Sequence, residues 1–305
     1  MKDIFNPKKT KKIIGFNNEF LLFDELIKKN KFPKVLMLSG QKGIGKSTFI
    51  NHFLNYYFDK ANYDIANNEI FEEGNFFIQN CDNFFPNISN IKSSNDSKIS
   101  IEDIRNLKDN LSNTPFLDNK RFIVLDDIET FNTNSLNAIL KIIEEPADNN
   151  YFILINNKTK PLLETIKSRC LELKIFFDLK KKENLSIFLL DYFKQNKIFK
   201  YNIIDVSPGL FLKYNYIFTE KKIDINEKIT TNLNILIKHY KKEKDLIYKD
   251  LIIFYIDYYI KKQNIDVQKN IEKRSFLIKA VNNFFLHNLS LNSFLTTFEG
   301  HFSDE

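Results

Sequence analysis

The segment Gly40-Gln41-Lys42-Gly43-Ile44-Gly45-Lys46-Ser47 follows the pattern G-x-x-x-x-G-K-S. It lies between Lys34 to Ser39 (KVLMLS), which reads as a short buried strand, and Thr48 to Phe58, which reads as a helix. Few stretches of eight residues constrain a fold so strongly. Glycines let the backbone wrap an anion closely, so that successive N–H groups point inward. The following helix adds the positive end of its dipole. In this pattern Lys46 reaches the β- and γ-phosphates of a nucleotide, and the Ser47 hydroxyl can ligate Mg²⁺. Gly40, Gly43, Gly45, Lys46, Ser47 and Thr48 therefore form the expected nucleotide-binding set.

The surrounding sequence supplies the sheet that such a loop needs. Residues 16–30 place Phe20, Leu21, Phe23, Leu26 and Ile27 at helical spacing, and Pro33 ends the pattern. Residues 59–98 are irregular, Asn-rich and polar, with Pro86 and the SSNDS run at 93–97 marking turns or loops. Ser100 to Leu111 reads as a helix that Ser100 can cap. Asp103 stands where Glu or Gln would complete a capping box. Arg121 to Leu125 (RFIVL) and Tyr151 to Ile155 (YFILI) are continuous apolar runs, as in the interior of a parallel sheet. Between them Thr133 to Ile143 reads as a helix ended by Pro146. This alternation predicts a doubly wound α/β domain. A strand ending in carboxylates, Asp126 and Asp127, places them at the C-terminal edge of the sheet beside the phosphate loop. Asp126 is the expected second Mg²⁺ group. Asp127 stands where a longer carboxylate often orients an attacking water.

Beyond residue 175 no β-rich alternation remains. Residues 179–196, 226–240, 244–262 and 269–286 read as helices. The expected domains are 1–176 (α/β, nucleotide-binding), 177–222 (a small helical domain) and 223–305 (an all-α C-terminal domain). The length of 305 residues fits two or three domains at roughly 100–200 residues each. A hydrophobic fraction of 43% with 31 Phe excludes a disordered chain. Two cysteines, Cys81 and Cys170, exclude a disulfide framework and a four-cysteine zinc site. No apolar h-region follows the lysine-rich start, and Lys249, Asp250 and Asp257 interrupt the most apolar stretch, so neither a secretory signal nor a membrane span is expected. A cytoplasmic location follows as an expectation. The net charge of +6 permits a nucleic-acid partner without arguing for one. Only four of the 45 basic residues are arginine: Arg105, Arg121, Arg169 and Arg274. The lysine and asparagine excess matches the codon bias of an AT-rich coding sequence.

Three further stretches carry a resemblance. Asn137-Ala138-Ile139-Leu140-Lys141 followed by Glu144-Glu145-Pro146, then Thr165-Ile166-Lys167-Ser168-Arg169-Cys170, with Thr114-Pro115 upstream of the acidic strand, is similar to the ordered motifs of the bacterial DNA polymerase III clamp-loader family of AAA+ ATPases. The similarity spans about residues 13–178, with a weaker tail at Ser207-Pro208-Gly209. It implies an AAA+ P-loop domain, a helical lid and a C-terminal collar, with ATP and Mg²⁺ at subunit interfaces. It implies that Arg169 acts as an arginine finger toward a neighbouring subunit, and that Asn156 or Asn157 sits at the polar sensor position. It implies γ/τ-like and δ-like subunits, the sliding clamp and primed DNA as partners within the polymerase holoenzyme, hence a bacterial, replisome-associated location, without a polymerase active site in this chain. Within the family, the missing zinc cysteines, Lys213 in place of an arginine near Ser207 to Lys213, and the absence of a long C-terminal extension favour the δ′ branch. On that reading the chain is a stator that binds ATP with little turnover of its own. The alternatives are a catalytic γ/τ-like ATPase or an unrelated P-loop ATPase.

Overall fold

A computed structural model of the chain describes residues 3–93, 99–111, 120–201, 205–262, 267–287 and 289–302. Thr114-Pro115 and residues 94–97 of the polar run lie outside them. The chain divides into two compact units, residues 1–178 and 179–305.

In the first unit, α1 (Asn17–Lys28), β1 (Val35–Ser39) and α2 (Lys46–Phe58) are followed by a small antiparallel ribbon, β2 (Tyr63–Asp64) and β3 (Glu69–Ile70). Then come α3 (Asn75–Cys81), β4 (Ile88–Lys92), α4 (Ile101–Leu111), β5 (Arg121–Asp126), α5 (Thr133–Ile143), β6 (Asn150–Asn156), α6 (Glu164–Lys167) and β7 (Leu171–Lys174). Five strands form one parallel sheet in the order β4-β5-β6-β1-β7. This is the expected parallel α/β architecture with flanking helices.

The two faces of the sheet are packed differently. Successive side chains on a strand point to opposite faces, and β5 shows the consequence. Phe122 joins an aromatic layer with Phe32, Phe53, Tyr57 and Tyr151, continued by Phe23 of α1 and Phe49 of α2. Its neighbour Ile123 joins a mainly aliphatic layer with Met37, Leu125 and the ring of Phe152, covered by Ile104 and Leu107 of α4 and Leu136, Ile139 and Ile143 of α5. The three central strands β5, β6 and β1 are buried along their whole length.

The sequence reading found these central strands and missed both edges. β4 (ISNIK) is half polar and β7 (LELK) is mostly exposed. An edge strand has one open flank, so it lacks the continuous apolar run that marks an interior strand. At α4 the expected cap is present and complete. Asp103 N–H donates to Ser100 Oγ at 3.1 Å while Ser100 N–H donates to Asp103 Oδ2 at 2.8 Å, so the shorter Asp closes the box.

The second unit is helical among its described residues: α7 (Leu179–Tyr192), α8 (Pro208–Glu220), α9 (Ile229–Glu243), α10 (Ile247–Lys262), α11 (Val267–His287) and α12 (Leu291–Phe302). α8 and α12 fall outside the helices read from sequence. Leu251, Ile252, Tyr255 and Ile256 of α10 are fully buried. Phe199 contacts Phe218 of α8 and Phe254 and Tyr258 of α10. Arg274 forks onto Asp257, with Nε–Oδ1 at 2.7 Å and Nη2–Oδ2 at 3.0 Å. Among the described residues no helix is long and apolar enough to cross a membrane.

Candidate nucleotide site

β1 delivers the chain to the phosphate loop, and both neighbouring strands hold its start. Gly40 N–H donates to Asn156 O at the end of β6 (3.1 Å), and Ile175 N–H, just past β7, donates to Ser39 O (2.7 Å). The approach is so close that a Cβ on Gly40 would lie 2.5 Å from Ile175 O. Gly45 has φ +107°, a conformation that side chains disfavour, and it opens α2. Its N-cap, Gly45, has no side chain to cap α2. The N–H groups of a helix's first turn have no partner within the helix.

Lys46 is buried, and its Nζ donates to Gly40 O (2.8 Å) and Gln41 O (3.0 Å). Burial lowers its pKa to about 8, against the opposing pull of Asp126, Glu129 and Asp127. Ser47 Oγ donates to Asp126 Oδ2 at 3.0 Å. The loop and the acidic strand end, far apart in sequence, thus meet through the two residues expected to hold Mg²⁺. Among the described residues there is no group of three or more His, Cys, Asp or Glu that could cage a metal.

The sensor candidates separate. Asn157 Nδ2 donates to Asp127 Oδ1, which brings Asn157 to the acidic pair. Asn156 is buried and accepts Lys158 N–H at 2.9 Å, a local turn contact. Asp127 has φ +59° as the chain leaves β5. Thr48 lies in the first turn of α2. Arg169 is placed by the turn after α6, where Nη1 donates to Thr165 O (3.1 Å) and Nη2 pairs with Glu144 Oε1 (3.0 Å). None of these partners belongs to the phosphate loop.

Two residues of the site were not singled out from sequence. Glu129 is buried and accepts from Asn157 N–H (3.1 Å), Thr159 N–H (3.3 Å) and Thr159 Oγ1 (2.7 Å). It fastens the segment after β6 to the turn after β5. The DDIET spacing offered a weak signal for it. Lys92 Nζ lies 2.7 Å from Asp126 Oδ2 and 3.5 Å from Asp127 Oδ2. Burial works to lower the Lys92 pKa, but Asp126 and Asp127 outweigh it and hold the ammonium above its ordinary value. In so lysine-rich a chain nothing in the sequence marks this one.

Comparison with known proteins agrees with the motif reading. DNA polymerase III subunit gamma of Buchnera aphidicola subsp. Schizaphis graminum is 29% identical over 174 residues, covering 56% of this chain and 46% of that protein. DNA polymerase III subunit delta′ of Pseudomonas aeruginosa is 35% identical over 74 residues, 24% of this chain and 23% of that protein. A solved DNA polymerase III gamma subunit-related protein from Thermotoga maritima aligns with a TM-score of 0.48 at 15% identity, over 90% of this chain and 96% of that one. The chain spans less than half the length of the curated relatives it first matches. The profile of the family described as "DNA polymerase III, delta subunit" matches residues 17–177, more than half of the chain and inclusive of the phosphate loop, the acidic strand end and Arg169. The chain belongs to the DNA polymerase III, delta subunit family.

Proposed function

We propose that this chain is a δ′-like subunit of a bacterial DNA polymerase III clamp loader, acting as a stator in ATP-dependent loading of the sliding clamp onto primed DNA. One observation carries the nucleotide part of this reading: an uncapped α2 N-terminus stands beside Ser47 and Asp126, paired at 3.0 Å. In it the α2 N–H groups and Lys46 bind the phosphates of ATP, and Ser47 and Asp126 hold Mg²⁺. Bound Mg²⁺ supplies charge neutralisation on the phosphates. Asn157 orients the Asp127 carboxylate through its amide. Asp127 is one methylene shorter than the usual water-orienting residue, so turnover by this chain alone is slow. Arg169, displayed on the surface of its unit, reaches into the ATP site of a neighbouring γ/τ-like subunit. Residues 177–222 serve as the lid and 223–305 as the collar, which joins γ/τ-like and δ-like partners in a cytoplasmic, replisome-associated ring.

The test is direct. The purified chain binds a fluorescent ATP analogue, and Lys46→Ala weakens binding by about tenfold or more, since the charged contact to phosphate is lost. No binding by the wild type in any condition refutes the nucleotide reading. Affinity capture from a bacterial replication extract returns a sliding clamp and γ/τ-like and δ-like subunits; their absence refutes the loader reading. A γ/τ-like ATPase is the second reading, favoured by the longer match to the gamma subunit of Buchnera than to delta′. Turnover by the isolated chain, abolished by Lys46→Ala, selects it.

A further inference from the structure

The acidic pair at the end of β5 is already engaged by the chain itself. Asp126 Oδ1 accepts Asp127 N–H at 3.0 Å. Asp126 Oδ2 accepts Ser47 Oγ at 3.0 Å and Lys92 Nζ at 2.7 Å. Asp127 Oδ1 accepts Asn157 Nδ2, and Asp127 Oδ2 lies 3.5 Å from the same Lys92 ammonium. All four carboxylate oxygens thus have a partner within the protein, and one cation faces both groups. Lys92 is exposed, and the sheet sets its place. Lys92 is the last residue of edge strand β4, and the parallel register pairs it directly with Asp126. Neighbours in register project to the same face, so the ladder itself aims the ammonium at the carboxylates.

From this geometry we infer that Lys92 is a built-in counter-cation of the site, standing in for a divalent ion when none is bound and competing with it for Asp126. The inference rests on the proposed reading of this cleft as a nucleotide and metal site. Its physical basis is Coulombic. A metal entering beside Asp126 meets a positive charge already in place and has to displace it, so binding is weaker by the attraction Lys92 gives up. Removing that charge while keeping the length of the side chain unmasks two carboxylates for a divalent ion. Lys92 is then a positioning residue: it sets how strongly nucleotide binding depends on the metal, without touching the phosphates.

Three variants test it in the full chain. Mn²⁺ is titrated against the nucleotide-free protein, with free Mn²⁺ followed by electron paramagnetic resonance. Lys92→Met is expected to bind Mn²⁺ about tenfold or more tighter than wild type. The double variant Lys92→Met/Asp126→Asn loses that gain, and Lys92→Arg, which keeps the charge, behaves as wild type. In parallel a fluorescent ATP analogue is titrated in EDTA and in Mg²⁺. Wild type is expected to change affinity by less than about threefold between the two, and Lys92→Met by about tenfold. Equal Mn²⁺ affinity in Lys92→Met and wild type overturns the inference, and so does an equal gain in Lys92→Arg. If wild type binds no nucleotide in either buffer while the Mn²⁺ gain is present, the nucleotide reading falls and the counter-cation role of Lys92 stands. Circular dichroism of Lys92→Met matching wild type secures the comparison.

Discussion

Arg169 and Glu144 are 25 residues apart in sequence and joined by a 3.0 Å ion pair between Nη2 and Oε1. The pair links the Glu144-Glu145-Pro146 stretch to the Ser168-Arg169-Cys170 stretch. Two motifs that look independent along the chain therefore share one contact, and the guanidinium is held in a defined place at the surface. An exposed pair of this kind is weak, so Arg169 can exchange Glu144 for a stronger anion.

The first prediction follows from that exchange. Arg169→Ala leaves the fold intact, with a melting temperature lowered by no more than about 2–4 °C, since an exposed pair contributes about 0–1 kcal/mol. In a reconstituted loader it slows turnover at the one neighbouring site by about 10³-fold or more, the scale of a lost arginine finger, and DNA-stimulated ATPase falls by that site's share. Glu144→Gln removes the competing carboxylate and does not lower that rate. Unchanged ATPase in Arg169→Ala sinks the finger role.

The loop start is the second place where a small change has a large effect. In Gly40→Ala the new methyl group meets Ile175 O, a backbone atom fixed by the adjacent bond from Ile175 N–H to Ser39 O. Neither side can yield cheaply, so the expected loss is about 1–3 kcal/mol, the usual scale of overpacking. Urea denaturation reads it as a lower midpoint at unchanged slope. A stability equal to wild type shows that the loop and the segment after β7 are not so tightly joined.

Glu129 gives a third. Glu129→Ala strips the acceptor from Asn157 N–H, Thr159 N–H and Thr159 Oγ1 together. Glu129 is buried, but Asn157 is half-buried and Thr159 exposed, so water takes over part of these bonds and the cost is about 1–2 kcal/mol. Glu129→Gln keeps one acceptor oxygen and loses about half as much. Hydrogen exchange locates the effect, with protection lost at Asn157 and Thr159 before the centre of β6.

His52 provides the pH dependence. It is fully buried on α2, with Nε2 3.0 Å from Thr10 O and Nδ1 3.2 Å from the Tyr63 hydroxyl. A carbonyl only accepts, so Nε2 carries the proton and Nδ1 accepts from Tyr63. Burial depresses the His52 pKa from 6.5 to about 3, only partly offset by the bond to Thr10. Between those values the unfolded chain binds a proton that the folded chain refuses. This contribution to stability is present above pH 6.5 and is lost as pH falls toward 3, by on the order of 1 kcal/mol per pH unit. Urea midpoints measured from pH 7.5 down to about pH 5 fall for wild type and fall less steeply for His52→Gln. Equal slopes refute the assignment.

The order of the three central strands' neighbours along the chain, the phosphate loop and the acidic strand end were legible because each is written locally. A glycine pattern, an apolar run and a carboxylate after it lie within a few residues, and backbone sterics and burial act at that range. The edge strands were not legible, since Ile88–Lys92 and Leu171–Lys174 become strands by pairing with β5 and β1 rather than through their own composition. The choice between Asn156 and Asn157 was equally hidden: one residue of register at the end of β6 decides which amide meets Asp127 and which closes a local turn. Lys92 shows the limit most plainly. By sequence it is one more lysine among 45 basic residues, 34 positions from Asp126. Only the parallel ladder of β4 on β5 brings its charge to 2.7 Å, because electrostatic partnership depends on distance in space, and the topology of the sheet sets that distance.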